Sequence, residues 1–470
     1  MARNAPERRT SSGALRAAPG ARRYPEAMST EFLTLPIDTE SAEQLGADGL
    51  RFGLVETGDT SGTGVFARWL EADARGFHDT RPSAESVQSQ LRGLPARRTT
   101  AVWDDSAADA ATPVATVSSW PTALTVPGAD AVVAWAVSSV TVAPTHRRRG
   151  VARAMLEAEL RTARRLGLPV AILTVSEATI YGRFGFAPAV MAADWTIDTR
   201  RATWTGRQPA GRLHLLAPEQ LAEHGPGIAD RVRTGIPGEI EKWDYLWKRM
   251  LGTEGDKDHA KKLRAVRYDD AAGVPQGFAV YTVTQSGPDF SAQTLTLEYL
   301  SSATDDAYAA LWRYAIEMDL VTTVTAPLRA VDEPVAWMVA DPRAVKKADE
   351  QDHLWTRILD LKAALEARRY RGPALLALDV TDPLGFASGR VLLDVAADGS
   401  AVVSPLVGDA PAGAAEVDLT VNELGALYLG GVSAVALARA GRLVERRTGS
   451  VLAVDAAFRT AAAPWLSVWF

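Results

Sequence analysis

The segment Val140-Thr141-Val142-Ala143-Pro144-Thr145-His146-Arg147-Arg148-Arg149-Gly150-Val151-Ala152 constrains the fold of this chain more than any other stretch. A strand leads into a turn, and the turn opens a helix over residues 151–166. Val151, Met155, Ala158 and Thr162 share one face of that helix at helical spacing. Gly167 stands where a helix-ending glycine belongs. The N-terminus of a helix offers unpaired N–H groups and a partial positive charge, which suit a pyrophosphate. Gly150 lets the backbone approach phosphates closely, and Ala152 keeps the next position small. Arg147 and Arg148 add charge and fork-shaped donors. Three arginines alone would only mark a basic turn on a surface helix. The strand before, the small residues at their offsets and the amphipathic helix after make the combination specific.

Around this segment the chain reads as α/β. Residues 50–55, 99–103, 114–120, 131–142 and 170–175 have the character of strands, and 64–76 and 83–91 that of helices. A helix and turn follow through Gly185. In a second unit, residues 212–216, 264–268, 278–284 and 294–299 read as strands and 304–318 as a helix. This repeats the β-then-α order without the basic turn. In a third unit, 354–367 reads as a helix. Residues 375–380, 390–395 and 401–405 alternate like an antiparallel sheet around an Asp398-Gly399 turn, and 421–429 and 432–440 read as short helices. The expected layout is a disordered tail over 1–28, then units over 29–199, 200–345 and 346–470. The apolar ending Pro464-Trp465-Leu466-Ser467-Val468-Trp469-Phe470 is unusual, because chain ends are normally polar and loose.

Composition narrows the chemistry. A chain of 470 residues suggests about three domains. The net charge of −6 argues against a nucleic-acid protein and suits a cationic substrate. With no cysteine there is no disulfide, thiol nucleophile or thiolate metal ligand. His78, His146, His214, His224, His259 and His353 are scattered without metal-ligand spacing, so no metal is expected. No run of 18 apolar residues predicts a membrane span. The arginine-rich start lacks the apolar core of a secretory signal, and a cytoplasmic location is expected.

Arg147-Arg148-Arg149-Gly150-Val151-Ala152 resembles the Arg/Gln-x-x-Gly-x-Gly/Ala motif of the GNAT acetyltransferases. Ser176-Glu177-Ala178-Thr179-Ile180-Tyr181-Gly182-Arg183-Phe184-Gly185-Phe186 resembles that family's Tyr-x-x-x-Gly-Phe segment. Together with the three-unit layout and the apolar Trp469-Phe470 ending, these stretches look like the Eis-type N-acetyltransferases. The resemblance implies two GNAT-like domains, the second without a cofactor site, and a sterol-carrier-like C-terminal domain. It implies acetyl-CoA held by Arg147, Arg148, Gly150, Val151 and Ala152, by the backbone of Val140 and Val142, and near Ser176. Tyr181 would protonate the departing thiolate. The terminal carboxylate of Phe470 would take the proton of the attacking amine, and Asp79 would line an acidic acceptor pocket. Aminoglycoside-type polyamines are the implied acceptors, and homohexamers the implied assembly. Lysine side chains of peptides are an alternative acceptor, and a lipid or acyl-CoA binding module is an alternative of another class.

Overall fold

A computed structural model describes residues 28–56, 64–93, 97–128, 130–285 and 287–470. Residues 1–27 of the expected tail lie outside them, and Met28 opens the helix Met28–Thr34. Among the described residues, one large sheet has twelve strands. They are β1 (Leu50–Leu54), β2 (Arg98–Asp104), β3 (Ala115–Thr125), β4 (Ala131–Val142), β5 (Val170–Thr174), β6 (Ala187–Asp198), β7 (Arg212–Leu216), β8 (Arg264–Asp269), β9 (Pro275–Gln285), β10 (Gln293–Ser302), β11 (Val321–Arg329) and β12 (Val345–Ile358). Their order is β1-β2-β3-β4-β5-β12-β6-β11-β10-β9-β8-β7.

This order is one pattern used twice. β4 runs parallel to β5, and β10 runs parallel to β11. A parallel pair needs a crossover, and the helices Val151–Arg165 and Asp305–Ile316 supply the two. The last strand of each half is exchanged: β12 lies beside β5, β6 lies beside β11, and the two pair with each other. The exchange makes the two halves one sheet with one continuous set of buried residues across β4, β5, β12 and β6.

Two expectations fail at this exchange. Residues 354–367 are not a single helix: β12 extends to Ile358, and only Leu361–Glu366 is helical. His353, Leu354, Thr356, Arg357 and Ile358 are all fully buried, because β12 is paired on both edges and covered on both faces. A strand of that kind shows no alternation, and its apolar spacing imitates a helix. β12 also crosses the expected boundary at residue 346 and belongs to the central sheet. β6 and β11 had no assignment from sequence. β6 is rich in alanine, a weak strand former, and pairing with β12 and β11 decides its conformation.

The third unit has a sheet of β13 (Ala374–Thr381), β14 (Gly389–Val395), β15 (Ala401–Pro405), β16 (Ala415–Thr420) and β17 (Leu443–Glu445), in the order β15-β14-β13-β16-β17. The helix Val421–Tyr428 packs back onto β12 and β6. After the helix Ser450–Phe458 the chain leaves this unit. The Trp465 amide donates to the Pro237 carbonyl at 2.9 Å, the Ser467 amide to Glu239 Oε1 at 3.1 Å and the Phe470 amide to Thr174 Oγ1 at 3.4 Å. The apolar tail thus crosses the second unit and ends on the first, with Trp465, Leu466 and Val468 buried.

Candidate active site

The basic turn lies between β4 and the helix Val151–Arg165. Arg148 (φ 65°) and Gly150 (φ 79°) are left-handed, and Gly150 caps the helix without a side-chain bond. Val151, Ala152 and Arg153 therefore keep N–H groups with no intrahelical acceptor. The Arg147 and Arg148 side chains are exposed and make no hydrogen bond or ion pair among the described residues. Arg149 donates to the Asp48 carbonyl at 3.1 Å. His146 pins the turn: it is buried, with Nε2 at 3.0 Å from Asp104 Oδ2 and Nδ1 at 2.8 Å from Thr145 Oγ1. Hydrogen bonds from Ser106 first, and from His146 next, hold the Asp104 carboxyl down to about 2.

β4 parts from β5 beyond Ala136. The parallel register covers only three pairs, Ala134↔Val170, Trp135↔Ala171 and Ala136↔Ile172. On its other edge β4 is bulged: Ser139 (φ 56°) and Val140 have no partner in the β3 register. The Ala143 amide donates to Val114 at 2.7 Å, so strand alternation turns the Val142 N–H toward the side that β5 has left. The helix Val65–Phe77 lies directly on this bulge. A Cβ on Gly76 would stand 2.4 Å from Thr141 Cβ, so only glycine permits the approach.

Tyr181 ends the short helix Ala178–Tyr181 that follows β5. It is buried, edge-on to Phe186 at 6.3 Å, and its hydroxyl has no hydrogen-bond partner among the described residues. Burial first, and Glu177 second, push the hydroxyl up to about 12. Ser176 is an exposed bend; it does not cap this helix, because Glu177 occupies that position and no side chain caps it.

The chain end reaches the end of β5. Thr174 Oγ1 donates to the main-chain carboxylate oxygen of Phe470 at 2.7 Å. The Phe470 ring stands edge-on to Trp120 at 5.5 Å, and Trp120 meets Trp243 at 5.7 Å. The Arg97 guanidinium lies over both indoles, at 3.8 and 4.9 Å. Asp79 is exposed on the rim of a cavity of about 320 Å³ that Asp73 also lines. Asp73 Oδ1 is buried without a hydrogen-bond partner, and burial pushes this carboxyl up to about 7 against the pull of Ser139 and Arg97. Asp73, Arg97, Trp120, Thr174 and Trp243 were not foreseen. Only Asp73 left a signal: it falls three and four residues after Leu70 and Trp69, on the apolar face of its helix.

Among the described residues, the corresponding positions of the second unit differ. The helix Asp305–Ile316 starts with Asp305 and Asp306, and Thr304 caps its Ala307 amide. Two carboxylates there oppose a diphosphate. Beyond Thr296, where β10 parts from β11, Arg329 Nη1 bridges back to the Leu300 carbonyl at 2.9 Å, and Trp465 of the tail donates to the Leu328 carbonyl at 2.9 Å.

Models of the GNAT acetyltransferase domain match residues 61–189 and 238–358, and a sterol carrier protein domain model matches 361–467. An uncharacterized N-acetyltransferase of Streptomyces avermitilis is 36% identical over 407 residues, 85% of this chain and 95% of that protein. N-acetyltransferase Eis of Mycobacterium tuberculosis is 34% identical over 351 residues, 71% of this chain and 80% of that protein. The solved structure of Eis1 from Mycobacterium abscessus superposes with a TM-score of 0.73 at 27% identity, covering 90% of this chain and 100% of that one. With that identity and coverage, this chain belongs to the Eis family of GNAT N-acetyltransferases.

Proposed function

We propose that this N-acetyltransferase moves the acetyl group of acetyl-CoA to an amine by direct attack in a ternary complex, with aminoglycoside-type polyamines as acceptors at several positions. The observation that carries the reading is the parting of β4 from β5 above a helix N-terminus with free N–H groups and unpaired Arg147 and Arg148. The diphosphate sits on Gly150, Val151 and Ala152, with Ser176 at the rim. The N–H groups of Val140 and Val142 face the pantetheine and the acetyl oxygen, where they stabilise the charge of the tetrahedral intermediate. The acidic start of the second unit's helix supports a single cofactor site per chain.

The amine nitrogen attacks the thioester carbon. Its proton passes to the terminal carboxylate of Phe470, whose ordinary pKa of about 3.3–3.7 keeps it ionised. The C–S bond then breaks and the sulfur takes the Tyr181 proton. A tyrosine raised to about 12 looks too weak an acid for a thiolate of ordinary pKa near 8.5. The departing sulfur shares the same dry site, and burial raises its pKa too, so the gap stays smaller than those values imply. Asp79, with Asp73 behind it, gives the acceptor side negative charge for polyamines. The docking of the tail on Thr174 and Trp120 favours an enzyme over a lipid or acyl-CoA carrier. A cytoplasmic homohexamer completes the reading; no helix among the described residues is long and apolar enough to cross a membrane.

Thiol release from acetyl-CoA, followed across kanamycin-like amines and lysine peptides, tests the reading. Faster turnover of the peptides would replace polyamines by lysine side chains. Tyr181→Phe and a one-residue extension after Phe470 should each lower kcat while leaving CoA affinity intact. No calorimetric uptake of CoA would end it.

A further inference from the structure

The turn that carries Tyr181 is held from outside its own unit. Within the unit, besides the internal bonds of the helix Ala178–Tyr181 and of the turn Gly182–Phe184, it has the Gly185 amide on the Gly182 carbonyl at 3.1 Å and the longer Phe186-to-Tyr181, Ile180-to-Glu177 and Arg183-to-Thr179 contacts at 3.4, 3.5 and 3.5 Å. The shorter bonds come from elsewhere. Asn422 Nδ2 donates to the carbonyls of Gly182 and Phe186 at 2.7 and 2.8 Å. Arg357 Nε of β12 donates to the Phe184 carbonyl at 2.7 Å.

Both donors are themselves fixed. Asn422 lies in the first turn of the helix Val421–Tyr428, where Thr420 and Glu423 form a capping box. Arg357 is fully buried and paired twice with Asp382 of the third unit at 2.8 Å, and the Leu384 and Ala387 amides orient that carboxylate. Gly185 (φ 84°) is pressed against this assembly: a Cβ there would stand 2.5 Å from Arg357 Nε and 2.8 Å from Val421 Cγ1. Both amide hydrogens of Asn422 are spent on the carbonyls at the two ends of the turn that follows Tyr181 directly, so that turn cannot shift without breaking them.

From this we infer that Asn422 is a positioning residue for Tyr181, and that the sterol-carrier-like unit serves here as the brace of the catalytic turn. The inference rests on the reading of Tyr181 as the acid. A buried side chain displaced by about 1 Å at a reacting centre costs on the order of 100-fold in rate. Asn422→Ala should therefore lower kcat between about 10- and 100-fold, with CoA affinity measured by calorimetry within about twofold of the parent.

A double-mutant cycle with Tyr181→Phe separates positioning from general loosening. If Asn422 works through Tyr181, adding Asn422→Ala to Tyr181→Phe lowers kcat no further. An equal further loss in that background makes Asn422 structural only and overturns the proposal, as does unchanged kcat in Asn422→Ala beside a crippled Tyr181→Phe. Full kcat in Tyr181→Phe removes the acid assignment, and the brace falls with it. Retained CoA binding shows that each variant is folded.

Discussion

His353 offers a quantitative test of how the tail is held. It sits at a bulge of β12, between Asp352, which pairs with Met191, and Leu354, which pairs with Val190 and Thr174. It is fully buried. Nε2 donates to the Val468 carbonyl at 2.9 Å, Nδ1 has no partner, and the ring meets Trp469 edge-on at 4.4 Å. Burial pushes its pKa down to about 4, against the opposing pull of the Val468 carbonyl and Asp352. The unfolded chain binds this proton near pH 6.5 and the folded chain only near 4, so acidification favours unfolding between those values. The stabilising contribution is present above pH 6.5 and is lost progressively down to pH 4. Between pH 8 and pH 5 the loss is about 2 kcal/mol. His353→Gln keeps a donor for Val468 but cannot titrate. Urea denaturation at both pH values, monitored by Trp fluorescence, should show the parent losing about 2 kcal/mol more than the variant. Equal losses in the two proteins would refute a buried neutral imidazole clamping the tail.

Further outcomes follow from the same geometry. Because Tyr181 is raised to about 12, kcat should show no fall from its ionisation up to pH 10; a descending limb near 10 that disappears in Tyr181→Phe would contradict its burial. Asp73, raised to about 7, gains its proton below that pH, so the KM of cationic acceptors should climb as pH drops under 7, and Asp73→Asn should flatten the profile and raise KM. That carboxyl's stabilising share is full below its unfolded value and is lost as pH rises through 7, so Asp73→Asn should resist urea better than the parent at pH 8, by up to about 4 kcal/mol. Gly185→Ala forces a Cβ onto Arg357 and Val421 in a left-handed backbone; it should lower both the unfolding midpoint and kcat, and an unchanged midpoint would mean that the third unit yields there.

The basic turn and the helix it opens were legible because a pattern suited to phosphate is a local property. A strand, a turn with Gly150 and a helix N-terminus are consecutive in the chain, and their chemistry is carried by backbone and residue type over a dozen positions. β1–β5 and β7–β10 were legible from short runs of apolar and β-branched residues, although β2, β3 and β5 are buried on both faces. β6, β11 and β12 were not. Their neighbours come from the other half of the chain, and only at the end of β12 does burial on both faces also erase the alternation. The surroundings of the chain end and the support of the Tyr181 turn are likewise decided only in three dimensions: Arg97, Trp120, Trp243 and Phe470 gather from separate stretches, and the Tyr181 turn is held by Asn422, some 240 residues away. Contacts of that range follow from which surfaces the exchanged strands bring together, and no local periodicity encodes them.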